Sequence, residues 1–322
     1  MTSDEQKSSF YAANSTYSVS VKYEQWFDST RNRVIPVKIY YPAEARELCP
    51  VIIFSHGLGG SLERCTYLGQ TWASHGLISV HIQHIGMDEN VWKKKIRPIK
   101  ELKEVYDQVW SGRMQANDIR FAINQMAILS TMPGNSAWQH VDMTRLGLAG
   151  YDLGGLASML VSGQIPPDGG ESLQDERVKA LIVMSPPVRD DINRAGYVYQ
   201  RMNLPTLFFT GTEDDGVVGT TKAWQRRIPF DYMSVADRYL ITYQGADHMI
   251  YGGHVRSSKE KDDRKFQSNI AQASLLFWQA YIENDPAVIM YFHGHTLGGI
   301  AGSLGRVERR LGATTAVLSS TE

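Results

Sequence analysis

Gly150-Tyr151-Asp152-Leu153-Gly154-Gly155 stands directly behind a short apolar run, Arg145 to Ala149, and directly ahead of the small-residue helix start Leu156-Ala157-Ser158-Met159-Leu160. The spelling is strand, tight turn, helix. A turn written G-x-S-x-G needs glycine on both sides of its central residue, because the backbone packs too closely there for a Cβ. It lifts one side chain clear at the top of a sheet. Here that side chain is the Asp152 carboxylate where such a turn usually holds a serine hydroxyl, so the geometry points to a nucleophile and leaves the chemistry open.

Working outward, Val51-Ile52-Ile53-Phe54-Ser55 is apolar enough for a strand covered on both faces, and it delivers the chain to His56-Gly57-Leu58-Gly59-Gly60. Leu77 to Ile82, Ala180 to Met184, Thr206 to Thr210 and Arg238 to Tyr243 read as further strands. Tyr17 to Glu24 and Val34 to Tyr41 alternate apolar and polar residues, as half-buried antiparallel strands do, and Pro42 ends the second. Helices are predicted over Ser61 to Ser74, over a stretch with Ile119, Ile123 and Met126 on one face, and from about Phe266 to Ile282. Gly86 to Arg113 is a charged, tryptophan-containing insertion. Strands alternating with helices imply a mostly parallel α/β sheet with helices on both faces. No repeat or linker interrupts it, so residues 1–322 read as one domain, with 1–15 and 301–322 peripheral.

The 322 residues carry a formal net charge of -1, which gives no reason to expect nucleic acid or an anionic membrane as partner. A small-molecule substrate is the expected partner, and a homodimer is left open. Two cysteines, Cys49 and Cys65, make neither a disulfide framework nor a metal-ligand spacing, so neither metal nor cofactor is expected. The first 20 residues lack the basic start and apolar run of a secretion signal, and no apolar stretch is long enough for a membrane span; the expected location is the cytoplasm.

Ser55-His56-Gly57-Leu58-Gly59-Gly60-Ser61, the Asp152 turn, Thr210-Gly211-Thr212-Glu213-Asp214-Asp215 and Gly245-Ala246-Asp247-His248-Met249 come in an order that resembles an α/β-hydrolase of the dienelactone hydrolase type. The likeness is to the bacterial relatives of platelet-activating-factor acetylhydrolase and, more distantly, to cutinases. It runs from about Tyr40 to Tyr281. It implies an α/β-hydrolase fold without a large cap, and a chain order of nucleophile, acid, histidine. Asp152, then Asp214 or Asp215, then His248 satisfy that order; counting from Gly211 favours Asp214, with Asp215 as second choice. The resemblance further implies an oxyanion hole from the Leu58 and Leu153 amides, with His56, Gly57, Gly59 and Tyr151 around the pocket.

The elbow spelling G-x-D-x-G-G is also similar to that of haloalkane dehalogenases, haloacetate dehalogenases and epoxide hydrolases, in which an aspartate attacks a saturated carbon and a histidine then hydrolyses the ester. Those enzymes carry a helical cap, and the 185–205 stretch is too short for one, so only Tyr197 and Tyr199 are available as cap tyrosines. Three functions follow: a hydrolase of a small ester, lactone or related electrophile with Asp152 as nucleophile or general base; an epoxide hydrolase or dehalogenase; or an inactive binding protein, natural or engineered. Gly294-His295-Thr296-Leu297-Gly298 shares the elbow spacing, but no apolar strand leads into it. Lys93-Lys94-Lys95 with Arg97 reads as a solvated face, and Trp92, Trp110 and Trp138 read as packing.

Overall fold

A computed structural model of the chain describes residues 17–132, 138–188, 192–233 and 235–312. Its strands are β1 (Val19–Asp28), β2 (Arg33–Pro42), β3 (Cys49–Ser55), β4 (Ile78–Ile82), β5 (Val141–Tyr151), β6 (Val178–Met184), β7 (Thr206–Glu213), β8 (Arg238–Asp247) and β9 (Gly305–Arg310). Its helices are α1 (Thr66–Ser74), α2 (Pro98–Val109), α3 (Arg113–Thr131), α4 (Leu153–Val161), α5 (Ala195–Tyr199), α6 (Ile228–Tyr232), α7 (Glu260–Tyr281) and α8 (Pro286–His293), with short 3-10 turns between them.

The strands form one sheet in the order β1-β2-β4-β3-β5-β6-β7-β8-β9. From β4 through β8 neighbouring strands are parallel, whereas β1, β2 and β9 run antiparallel to their neighbours. This is the α/β-hydrolase fold. Among the described residues no helix is long and apolar enough to cross a membrane.

Why β3 is apolar throughout follows from its place in the middle. Val51 and Ile53 pack into the core shared with Ile119 and Ile123 of α3, while Ile52 and Phe54 face the opposite core with Trp72 of α1 and Trp278 of α7. Alternate residues of one strand therefore stabilise both layers. Every residue of β3 and β4 is buried.

Several strands outrun their apolar centres. β5 begins at Val141, β7 reaches Glu213 and β8 reaches Asp247, because strand ends project past the helices and carry polar residues that no apolar pattern marks. α7 likewise starts at Glu260, ahead of its apolar stripe; acidic Glu260, Asp262 and Asp263 suit the positive end of a helix. The stretch after residue 301 carries β9, paired with β8 from Arg238 to Tyr243. Residues 1–16 and 313–322 lie outside the described part of the chain.

The insertion between β4 and α3 folds into a 3-10 turn, Glu89–Val91, and the helix α2. No residue of α2 is fully buried, and Ile99 on it is 57 % exposed. It is a roof rather than part of the core.

Elbow and look-alike differ in packing. A Cβ on Gly154 would lie 2.1 Å from the Ser55 carbonyl oxygen, whereas one on Gly298 would meet nothing within 4 Å. Gly154→Ala is expected to lose about 3 kcal/mol or more of stability, since a backbone atom cannot step aside, and Gly298→Ala to stay within about 1 kcal/mol of the parent. Urea denaturation of the two variants measures this.

Candidate functional site

The site is assembled at the carboxyl ends of β3, β5, β6, β7 and β8, where a doubly wound sheet gathers its reactive groups. Asp152 links β5 to α4 with φ 53° and ψ −124°, a conformation that non-glycine residues rarely hold and that costs on the order of 1–3 kcal/mol. The neighbours explain it. Gly150 lies against the Gly154 backbone, and Gly57 is so close that a Cβ there would sit 2.7 Å from the Asp152 Cβ.

His248 begins the 3-10 turn that follows β8, and its Nε2 is 3.7 Å from Asp152 Oδ1. That is too long for a hydrogen bond. On the ring's other side Nδ1 is 3.1 Å from Asp214 Oδ1 and 2.7 Å from Ser185 Oγ, while Ser185 donates to the same Asp214 oxygen at 2.6 Å. Thr210 donates to Asp214 Oδ2 at 2.8 Å. Asp214 is fully buried. Asp215, the second choice, is turned to solvent and holds Lys222 and the Ala223 amide instead. Gly211 owes its identity to β8, for a Cβ would fall 2.1 Å from the Ala246 carbonyl oxygen.

The Leu58 amide donates to Asp152 Oδ2 at 3.1 Å, so the carboxylate itself occupies one of the two expected oxyanion donors. Leu153, the other, is the first residue of α4 and fully buried, and its side chain does not line the pocket. Gly57, Gly59 and Tyr151 line the pocket as expected. His56 does not; it lies wholly buried under the loop, donating from Nδ1 to the Gly57 carbonyl and accepting the His84 amide at Nε2. Burial, with His84 beside it, holds His56 down to about 3. Tyr151 stacks at 5.1 Å on His248, and burial followed by Asp152 and Asp214 pushes its phenol well above its ordinary range.

Two polar groupings had no signature in the sequence. Arg226 is buried, donates from Nε to the Asp214 carbonyl and from Nη1 to the carbonyls of Ser185 and Pro186, and brings Nη2 to 3.2 Å from His248 Nδ1. It ties the ends of β6 and β7 to the histidine. Beneath the 56–60 loop, Ser55 Oγ donates to His84 Nε2 at 2.8 Å and His84 Nδ1 donates to Asp118 Oδ2 at 3.0 Å. Asp118 also takes Arg31 at 2.7 Å and Arg33 at 3.0 Å. Burial alone would raise the Asp118 carboxyl; His84 and Arg33 more than offset it and hold it low. All three of Ser55, His84 and Asp118 have no exposed surface, so this chain fixes the loop and is closed to substrate.

The insertion is stitched to the same loop. Gly59 donates to the Met87 carbonyl, Glu89 to the Gly60 carbonyl, and Trp92 Nε1 to the Gly59 carbonyl at 2.8 Å. Trp92 thus roofs the pocket with Leu102 and Tyr106, a role beyond the packing its sequence suggested; Trp110 lines a second chamber, and Trp138 packs on Tyr41. Tyr197 and Tyr199 do not line the pocket around Asp152. Lys93, Lys94, Lys95 and Arg97 are exposed. The 295–300 stretch is a 3-10 turn after α8, not a strand-to-helix elbow. Both cysteines are free and buried, and burial pushes Cys65 up to about 12 and Cys49 up to about 11.

With this geometry in view, comparison with known families is informative. Residues 11–92 match the family of platelet-activating factor acetylhydrolase, isoform II. The match contains the 55–61 loop and ends ahead of Asp152, Asp214 and His248. It supports an esterase- or lipase-type hydrolase. No curated protein matches the chain.

Two measurements probe the site's construction. Asp214→Asn is expected to lower turnover about 10³- to 10⁴-fold and Asp215→Asn less than about threefold, read from kcat/KM on any accepted substrate. Equal losses would mean that the wrong carboxylate has been assigned. His81, buried between Phe54 and Tyr40, is held by burial down to about 3 from an ordinary 6.5, as is His56. Below pH 6.5 the unfolded chain takes up protons that the folded chain refuses, so this contribution is complete above pH 6.5 and is lost as pH falls toward 3. His81→Gln is expected to flatten the fall of the urea midpoint between about pH 6.5 and 4.5 relative to the parent; an unchanged slope would contradict the assignment.

Proposed function

We propose that the protein is a hydrolase of a small neutral electrophile in which Asp152 forms a covalent ester with the substrate's alkyl carbon and His248, oriented by Asp214, directs water onto that ester. The observation that carries this reading is the Leu58 amide on Asp152 Oδ2. A serine in this turn would leave the amide free for a substrate oxyanion. A carboxylate already seated there would repel one. Charge can instead develop on Oδ2 itself, which is where hydrolysis of an Asp152 ester puts it.

In the first step Asp152 Oδ1 attacks the electrophilic carbon and the bond to the leaving group breaks, the pair of electrons departing with a carboxylate, a halide or an opened epoxide oxygen. An ester or lactone cleaved at its alkyl–oxygen bond meets this requirement, since attacking and leaving groups are then both carboxylates of similar basicity. Attack at the acyl carbon fares worse, because the tetrahedral adduct expels the less basic carboxylate and reverts. In the second step His248 Nε2 takes a proton from water, the resulting hydroxide adds to Asp152 Cγ, and the oxyanion on Oδ2 is held by the Leu58 N–H. Collapse breaks the Cγ–Oδ1 bond; the product alcohol leaves with Oδ1 and receives the proton from His248, and the Asp152 carboxylic acid left behind gives its remaining proton to solvent, which restores the carboxylate. The 3.7 Å gap between Nε2 and Oδ1 leaves the imidazole uncommitted before substrate arrives.

A second reading has support of its own. The family match favours ester cleavage at the acyl carbon, and Asp152 with His248 would then act as the general base for direct attack by water.

The two readings put the solvent oxygen in different places. A single turnover in heavy-oxygen water is expected to label the Asp152 carboxylate, detected as a mass shift of its peptide, and His248→Ala to accumulate the substrate–Asp152 adduct. Label in an acid product with none at Asp152 would establish the general-base route instead. Turnover with label in neither would remove Asp152 from the chemistry.

A further inference from the structure

The pocket in front of Asp152 has a volume of about 190 Å³, and behind it lies a second chamber of about 660 Å³. Sites for drug-sized ligands run from about 300 to 1,000 Å³. The pocket at Asp152 is thus too small to hold more than the reacting end of a molecule, and the chamber is the size of a full binding site. The two share Tyr106, Pro187, Val218 and Gly219 in their walls. The partition is thin at one place. The Tyr106 hydroxyl lies against Gly219, so near that a Cβ there would come within 2.7 Å of it, and Tyr106 is carried by α2, the helix with no fully buried residue. Tyr106 is half-buried and forms part of the wall common to the two spaces.

The chamber walls specify what would fill them. Trp110 at the end of α2, Leu156 of α4, and Val198 and Tyr199 of α5 offer an apolar lining from three elements. Gln164, only 3 % exposed, also lines the chamber, and its Oε1 is buried without a hydrogen-bond partner. An acceptor left so costs about 1–3 kcal/mol, and nearly all such groups in folded proteins find a donor. A ligand that donates a hydrogen bond into the chamber would satisfy it. At the mouth Lys103 and Arg194 are exposed and make no ion pair among the described residues, which leaves that end open to solvent.

We propose that this chamber binds the distal part of the substrate: a hydrocarbon group of medium length bearing one hydrogen-bond donor, a hydroxyl or amide N–H, that meets Gln164 Oε1, while the reactive carbon passes Tyr106 to reach Asp152. The substrate is then an elongated amphiphile and Gln164 a specificity residue well away from the chemistry. The inference takes the reactivity of Asp152 from the function proposed above, but the chamber can be tested without turnover.

The probes are N-hexylacetamide, which carries the donor, and N-hexyl-N-methylacetamide, which lacks it, titrated into the intact protein by calorimetry. The parent is expected to bind the first about tenfold more tightly than the second. Gln164→Leu, which replaces the orphaned acceptor with a slightly smaller apolar group, is expected to abolish that preference and to raise the melting temperature. Val198→Trp, which fills the chamber, is expected to remove binding of both probes with an unchanged circular dichroism spectrum, and in the parent a short electrophile is expected to label Asp152. Failure of N-hexylacetamide to bind the parent, equal affinity for the pair, or binding that survives Val198→Trp would each overturn the chamber as a ligand site. Loss of Asp152 labelling in the parent with probe binding intact would overturn the reaction and leave the chamber standing.

Discussion

The close approach of the β3 end to the turn between β5 and α4 is the constraint on which the rest of the site depends. Gly154 touches the Ser55 carbonyl, Gly57 touches Asp152, and no side chain fits at either contact. The same squeeze holds Asp152 in a strained backbone conformation and brings its carboxylate under the Leu58 amide. The strain persists because the surroundings over-determine it: strands paired on both sides of β5 and a fully buried α4 leave the turn no room to relax.

Holding a loop against such a turn takes more than packing. The 56–60 loop rests on a buried polar chain from Ser55 through His84 to Asp118, and Asp118 is in turn gripped by Arg31 and Arg33 from the β1–β2 hairpin. The antiparallel edge of the sheet is thereby connected to the 56–60 loop across a wide span of sequence. On the opposite side Arg226 does comparable work through three carbonyls, fixing the ends of β6 and β7 next to His248. Ser55, His84 and Asp118 each have partners, whereas Arg31 Nη2 is buried without one; the chain holds the loop rigid where the geometry matters.

What the sequence made legible was local. The elbow spelling was legible because a tight turn restricts its own residues, Gly150 lying against the Gly154 backbone, and the order of Asp152, Asp214 and His248 was read from the family resemblance. Strand centres were legible for the same reason, since burial on both faces writes itself as an apolar run. Arg226, Ser185 and the Asp118 chain were not, because each acts through partners far along the chain: Arg226 reaches Asp214 across 12 residues and His248 across 22, and Asp118 meets Arg33 across 85. No spacing rule announces such a meeting. The roof was missed differently. The 185–205 stretch, where related folds insert a cap, is short, and the pocket is roofed instead by the 86–113 insertion, whose charged exterior conceals that Trp92, Leu102 and Tyr106 face inward.

Formal charge gives the last step. Asp152 and Asp214 bracket His248, and Arg226 supplies one buried positive charge beside them, so the resting trio of Asp, Asp and Arg carries one excess negative charge. If Asp152 is esterified, that excess departs with the leaving group and the trio becomes neutral. The imidazolium and the oxyanion of the following step then arise as an opposite pair within hydrogen-bonding surroundings, Asp214 and Ser185 on one side and the Leu58 amide on the other. A serine at position 152 would begin neutral, and the Arg226 charge would face Asp214 alone. The guanidinium therefore balances Asp214, and the Asp152 charge rests on the Leu58 amide. The carboxylate is built into the frame through that backbone donor and not through a cation of its own.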